Sequence, residues 1–229
     1  MKILVISDVH GTAYWKEYIK NIDNYEYVVS LGDWFDNHEC IEDSDEIENF
    51  KEALEWKNKY KEKFIMLLGN HDLNSHIIRE KMSGNTQHRE REIFDLLIKN
   101  RNLFSICFEY KNYVFSHAGI SKTWMKNNSF SSIDEINKNY QEGNFEPFRF
   151  RAEDENGESS IQGPMWIRPK ALISDYYYKK QIVGHTMLEL TPLGKDKPYP
   201  FIYRDENDKE VEIIFTDSVF KNKFFELEV

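Results

Sequence analysis

Apolar residues in the first third of this chain fall into short unbroken runs, with helical spacing between them. Residues 3–7, 27–31 and 64–68 are β-branched, leucine-rich or aromatic without alternation, which predicts strands buried on both faces. Between them, residues 14–22 and 46–60 have helical periodicity; in the second, Ile47, Phe50 and Leu54 make one stripe among Glu and Lys. A further helix is predicted over 89–99, where Ile93, Leu96 and Leu97 share a face. Strand and helix in alternation imply right-handed crossovers over a sheet. Farther on, residues 113–116, 181–183, 211–215 and 224–229 read as strands, and 191–208, with three of the six prolines, as a turn-rich connection. Residues 121–164 break the alternation and offer no long apolar run. They are expected to form a loop-rich excursion that shapes entry to the site.

Five of these segments end in residue types that bind metals. They are Asp8-Val9-His10-Gly11, Gly32-Asp33-Trp34-Phe35-Asp36, Gly69-Asn70-His71-Asp72, Ser116-His117-Ala118-Gly119 and Gly184-His185-Thr186. Ligand sites in open α/β sheets lie beyond the carboxyl ends of the strands, where all five fall. Asp8 and His10 are one residue apart on an extended strand end and can point to the same side. Asp33 offers two carboxylate oxygens and could bridge two ions; Asn70, His117 and His185 would complete the coordination of the second ion. Two cations about 3.5–4 Å apart can hold a phosphoryl oxygen, generate a hydroxide nucleophile at neutral pH and neutralise charge in an in-line displacement. The motifs therefore read as a two-metal phosphoesterase.

Composition narrows this only slightly. At 229 residues the chain is long enough for one domain with a three-layer core. A net charge of -10 argues against general nucleic-acid or anionic-membrane binding. It leaves a phosphorylated substrate open, because bound cations invert the local field. No apolar run approaches the about twenty residues of a membrane span, and residues 2–6 are too short for a signal-peptide core, so a cytoplasmic location is expected. Cys40 and Cys107 lack zinc-site spacing and read as ordinary small apolar side chains.

The five elements, in order, resemble the pattern of the calcineurin-like metallophosphoesterase superfamily: D-x-H, G-D-x-x-D, G-N-H-D/E, a later H and a final G-H. Phe115-Ser116-His117-Ala118-Gly119-Ile120, Met165-Trp166-Ile167-Arg168-Pro169 and Val183-Gly184-His185-Thr186 are similar to segments of the branch with bacterial and phage-type phosphoprotein phosphatases and symmetrical diadenosine tetraphosphatases. Phe215-Thr216-Asp217-Ser218 resembles the strand that follows in that branch. The resemblance implies a single α/β domain: a β-sandwich flanked by helices, in α-β-β-α layers.

It also implies roles. Asp8, His10 and Asp33 would hold the first ion, and Asp33, Asn70, His117 and His185 the second. His71 matches the histidine that protonates the leaving oxygen, and Asp36 the carboxylate that orients it. The ions would be Mn by resemblance, with Fe or Zn equally suited to oxygen and imidazole ligands. The implied reaction is phosphomonoester hydrolysis by direct attack of a metal-bound hydroxide, with serine/threonine phosphoproteins as the implied substrates. Arg168 is a candidate phosphate clamp, since guanidinium binds two phosphate oxygens at once.

One departure keeps other substrates open. The phosphatase branch follows its second Asp with a phosphate-binding Arg, whereas this chain has Asp36-Asn37-His38. Hydrolysis of dinucleoside polyphosphates or of phosphodiesters, the latter lacking one anionic oxygen and needing less positive clamping, is the alternative; a metal-binding scaffold without turnover is another. His76 and His88 lack ligand spacing and read as surface residues, His38 is undecided, and Asp72 reads as a cap for the segment after it. Asp217 reads as support for a sheet edge, and Tyr176-Tyr177-Tyr178 as packing.

Overall fold

The first sheet is built as the apolar runs predict. β1 (Lys2–Ile6), β2 (Tyr27–Ser30) and β3 (Phe64–Leu67) lie side by side and parallel. β4 (Phe104–Ser105) extends the sheet beside β3. β10 (Phe224–Glu228) closes the other edge, antiparallel to β1, with Phe225 opposite Val5. Ile3 to Ile6, Val28 and Val29 are all buried, which accounts for unbroken apolar runs in place of alternation. In a computed structural model, this chain is described over residues 1–37, 43–80, 89–151, 158–218 and 224–228. His38, Cys40 and His88 lie outside them.

Helices connect these strands. α1 (Trp15–Ile19) follows β1, α2 (Asp43–Tyr60) precedes β3 and packs on it, and α4 (Glu90–Lys99) precedes β4. α3 is a single turn, Asn70–Asp72, continued by a wider π-type turn over Leu73–Ile78. The apolar face of α2 does more than cover the sheet. Phe50 packs on Trp34, Phe35 and Phe104, and Asn49 donates from Nδ2 to the carbonyls of Gly11 and Thr12 while accepting from Trp15 Nε1. One helix thus holds the loops after both β1 and β2.

The second sheet has the order β5-β6-β7-β9-β8: Cys107–Tyr110, Tyr113–Ser116, Lys180–Val183, Glu212–Phe215 and Phe201–Arg204. Its three inner strands, β6, β7 and β9, are parallel, so their carboxyl ends stand together. Val183, Ile213 and Phe215 meet Ala118, Ile167, Leu172 and Leu188 in its core. The contacts divide the chain into two compact units, Met1–Ser105 with Phe224–Val229, and Ile106–Lys223. The fold is mixed α/β with two sheets flanked by helices.

The expected loop-rich excursion is a correction. Within 121–164 lie α5 (Lys122–Asn127), α6 (Ile133–Glu142) and a 3₁₀ turn at Glu146–Phe148. Ser121 and Ser132 cap the two helices by accepting from the backbone N–H of Trp124 and Glu135. Ile133, Ile136 and Tyr140 recur on one face of α6 and are buried, as are Trp124 and Phe148. The apolar stripe is real but diluted by Asp, Glu, Asn and Lys, which hides it from a search for continuous runs. α7 (Pro169–Asp175) likewise lies outside the expected elements; Pro169 opens it at its first position.

Candidate active site

In the first unit, three strand ends deliver the motif residues. Asp8 follows β1 by two residues, Asp33 follows β2 by three, and Asn70 and His71 open the turn after β3. Ligand atoms of Asp8, His10 and Asp33 all lie within 4.8 Å of one another. Asp8 and Asp33 are buried, each 2% exposed. Two buried carboxylates this close repel each other, and a cation between them removes that cost.

The imidazole geometry fits a metal as well. His10 Nδ1 lies 3.1 Å from the carbonyl oxygens of both Phe35 and Asp36, so it carries a ring proton. In that tautomer Nε2 presents its lone pair, 3.6 Å from Asp33 Oδ2. A lone pair aimed at a buried carboxylate, with a second carboxylate alongside, is a donor set for a divalent cation.

The backbone is bent to achieve this. His10, Asp33 and Asp36 have φ of 44°, 51° and 62°. Non-glycine residues in the left-handed region cost on the order of 1 kcal/mol or more each, and concentrate where geometry is functional. Two glycines make the approach of the loops possible. A Cβ on Gly32 would meet Gly69 N at 2.2 Å, and one on Gly69 would meet Asp33 Oδ1 at 2.1 Å.

His71 is tied to this group twice. Its backbone N–H donates to Asp33 Oδ1 at 2.9 Å, and its ring Nδ1 donates to Asp36 Oδ2 at 2.9 Å. The His10 and His71 rings sit edge to face at 5.1 Å. Burial acts to lower the His71 pKa, but the charge of Asp33, the hydrogen bond to Asp36 and the charges of Asp36 and Asp72 outweigh it and raise it to about 9. The ring therefore holds a proton at neutral pH in the metal-free protein.

Two sequence readings are corrected here. His76, read as a surface residue, is fully buried, and its Nε2 lies 3.0 Å from Asp36 Oδ1. The signal missed is the run Leu73-Asn74-Ser75-His76-Ile77, which forms a buried π-type turn instead of an exposed polar segment. Asp72 does not cap the segment after it. It accepts from the N–H of Gly69 at 2.9 Å and of Trp34 at 2.7 Å, tying the β2 and β3 loops together. Burial, and then the charge of Asp33, raises its pKa well above the usual carboxylate range.

The second unit carries its own group. His117 and His185 follow the parallel neighbours β6 and β7, and Gly184 N donates to the His117 carbonyl at 2.8 Å. His117 Nε2 and His185 Nδ1 lie 3.1 Å apart, and His185 has a φ of 65°. Two imidazole nitrogens converging at that distance suit a shared cation. Trp166 packs edge to face on His185 at 6.0 Å. Arg168, half-buried, donates from Nη1 to Thr186 Oγ1 at 3.1 Å, so the W-x-R-P and G-H-T segments meet. Asp217 is buried after β9 and accepts from Ser218 N, a local structural use.

Parallel strand ends that present carboxylates and imidazoles, with a proton-holding histidine among them, define a metal-dependent hydrolase. The calcineurin-like phosphoesterase family model matches residues 1–189, and the chain belongs to that family. It is a phosphoesterase, and the family uses divalent metals. Solved structures agree in fold. A cold-active protein-tyrosine phosphatase from a psychrophilic Shewanella species is similar with a TM-score of 0.59 and 17% identity, over 99% of this chain and 75% of that one. A protein serine/threonine phosphatase from Saccharomyces cerevisiae is similar with a TM-score of 0.53 and 13% identity, over 95% of this chain and 67% of that one. No curated protein matches the chain in sequence. Among the described residues, no helix is long and apolar enough to cross a membrane.

Proposed function

We propose that this protein is a dinuclear metal-dependent phosphatase that hydrolyses phosphomonoesters, with phosphoserine and phosphothreonine in proteins as its substrate class. The observation that carries this reading is the Asp36–His71 pair, 2.9 Å apart, beside the Asp8, His10 and Asp33 ligands. When bound, the two cations supply polarisation of the phosphoryl group and activation of a water. Asp8, His10 and Asp33 would hold the first, and Asp33, Asn70, His117 and His185 the second; motif order and family membership support that division. Mn is the proposed metal. A cytoplasmic location is part of this reading.

In this reading His71 delivers a proton to the leaving oxygen. An alkoxide leaves poorly, and a protonated imidazole removes that barrier. Asp36 keeps the ring charged and aimed, because its carboxylate accepts from Nδ1 and commits the opposite edge of the ring to the substrate. Arg168, braced on Thr186, binds the phosphate oxygens that the cations do not.

A second reading rests on Asn37, which stands where the phosphatase branch has its phosphate-binding Arg. A phosphodiester has one anionic oxygen fewer than a monoester and needs less positive charge around phosphorus; a dinucleoside polyphosphate is the other nucleotide substrate of this reading. Rates on a phosphoserine peptide, diadenosine tetraphosphate and a bis-aryl phosphate, measured side by side with Mn present, separate the two. A preference for the peptide supports the phosphatase; a preference for either of the others overturns it and leaves the metal site standing.

A further inference from the structure

Asp36 is held from both sides. Its side chain is fully buried, Oδ2 accepts from His71 Nδ1 at 2.9 Å, and Oδ1 faces His76 Nε2 at 3.0 Å. A carboxylate only accepts hydrogen bonds, so His76 carries its proton on Nε2. His76 Nδ1 is buried and has no hydrogen-bond partner among the described residues. Among the described residues Asp36 is therefore the sole polar attachment of a fully buried ring, an arrangement that costs stability and calls for a use. The edge of the ring packs on Phe35 at 5.5 Å, which fixes its plane.

The turn that carries His76 is part of the argument. His71 and His76 are five residues apart; in a regular α-helix such residues diverge by well over a right angle. The π-type turn over Leu73–Ile78 is wider, and it brings both rings to one carboxylate. Such turns are uncommon and are frequently found at functional sites.

We infer that His76 is a positioning residue for proton delivery: it fixes the rotamer of Asp36 so that Oδ2 stays on His71 Nδ1. With Oδ1 bound, the carboxylate cannot swing about its Cβ–Cγ bond, and Asp36 is left with one orientation in which it meets His71. The positive φ of Asp36, 62°, restrains the same side chain from the backbone. His76 touches no substrate in this scheme. It acts through Asp36 on the orientation of the His71 ring. This inference rests on the proposed role of His71 as proton donor.

The test uses the full-length Mn-loaded protein with two aryl phosphates. Phenyl phosphate has a poor leaving group that needs the proton, and 4-nitrophenyl phosphate has a good one that hardly does. His76→Phe keeps the ring volume and removes the donor; His76→Gln keeps a donor near the position of Nε2. The expected result is a fall in kcat of about 10-fold on phenyl phosphate for His76→Phe, a much smaller fall on 4-nitrophenyl phosphate, and unchanged KM and metal content. His76→Gln recovers most of the loss, and His76→Phe costs nothing further in an Asp36→Asn background. Equal losses on both substrates, or a Gln variant no better than Phe, would overturn the inference.

Two controls keep the outcomes separate. His71→Ala that retains wild-type turnover would remove the proton-donor reading itself, whereas a normal His71→Ala defect with a silent His76→Phe removes only the role of His76. If His76→Phe does not fold, imidazole ¹H–¹⁵N correlation of the unsubstituted protein decides. A proton on His76 Nε2, protected from exchange, is the expected signal; a proton on Nδ1 alone contradicts the contact with Asp36.

Discussion

The backbone N–H of His71 donates to Asp33 Oδ1 across 2.9 Å. The residue proposed to bridge two cations is thus fixed by the peptide group of the residue proposed to deliver the proton. Ligand and acid share one rigid corner, made from the loop after β2 and the turn after β3. Their separation is set by backbone geometry, and distant packing changes move both together.

That corner depends on a missing side chain. A Cβ at Gly69 would stand 2.1 Å from Asp33 Oδ1, closer than any contact allows, so Gly69→Ala must displace the carboxylate. Metal content measured by mass spectrometry should fall, and turnover should drop by about 10²-fold or more, as expected for misplacement on the order of 1 Å. Full occupancy and wild-type turnover would show that Asp33 is not held where the structure puts it.

The two roles at the corner separate by substitution. His71→Ala should retain its metal while losing about 10²–10⁴ in turnover, the range typical of general acid catalysis. Asp33→Ala should lose the metal itself. Metal analysis and kcat on the same preparations read both; two variants with the same metal content and the same turnover would contradict the division.

Asp36 and Asp33 hold the proton on His71. In chelator-stripped protein its ring should titrate at about 9, against 6.5 for an ordinary histidine, and Asp36→Asn should bring it down. The sign for stability follows: this pair contributes fully below pH 6.5, and its contribution is lost as pH rises through about 9. Imidazole NMR against pH measures the ring, and denaturant unfolding at pH 6 and pH 9 measures the linkage. Metal loading should lower the value, because the cations repel the imidazolium.

Much of this site is legible in the chain, and the reason is local. Asp8, His10, Asp33, Asn70, His117 and His185 each lie within four residues of the end of a strand whose apolar run announces itself. Chain direction then places all of them at carboxyl ends. His76 is different. Its burial depends on a π-type turn, and its partner is forty residues away, so no spacing rule applied along the sequence connects them. β5 and β8 also escape reading, because Glu109 interrupts the first of these short edge strands and the second lies in the proline-containing 191–208 connection. The serine caps of α5 and α6 stand three residues before Trp124 and Glu135, but without an apolar run after them they do not mark a helix start in the sequence.

Those caps differ in cost. Ser132 Oγ accepts from Glu135 N on an exposed helix end, and Ser132→Ala should cost about 1 kcal/mol. Ser121 is fully buried; it accepts from Trp124 N at 3.0 Å and donates to the Ser160 carbonyl. Ser121→Ala leaves both groups unpaired and should cost about 2–3 kcal/mol. Urea unfolding of the two variants ranks them, and equal costs would argue against the buried pairing.

Cys107 offers a probe of the second sheet. It is buried and its thiol is pushed up by that burial, so little thiolate is present at pH 8. In a Cys40→Ala background, a disulfide reagent should leave the folded protein unmodified and react with one thiol per chain in guanidinium. Rapid labelling of the native protein would show that β5 is open to solvent.

The most direct measurement is phosphate release from a phosphoserine peptide by chelator-stripped protein, followed while Mn is returned and bound metal is counted. The account predicts no release from the stripped protein and recovery that tracks uptake of two equivalents per chain. Release that survives stripping, or full metal uptake with no hydrolysis of any phosphoester, would contradict it.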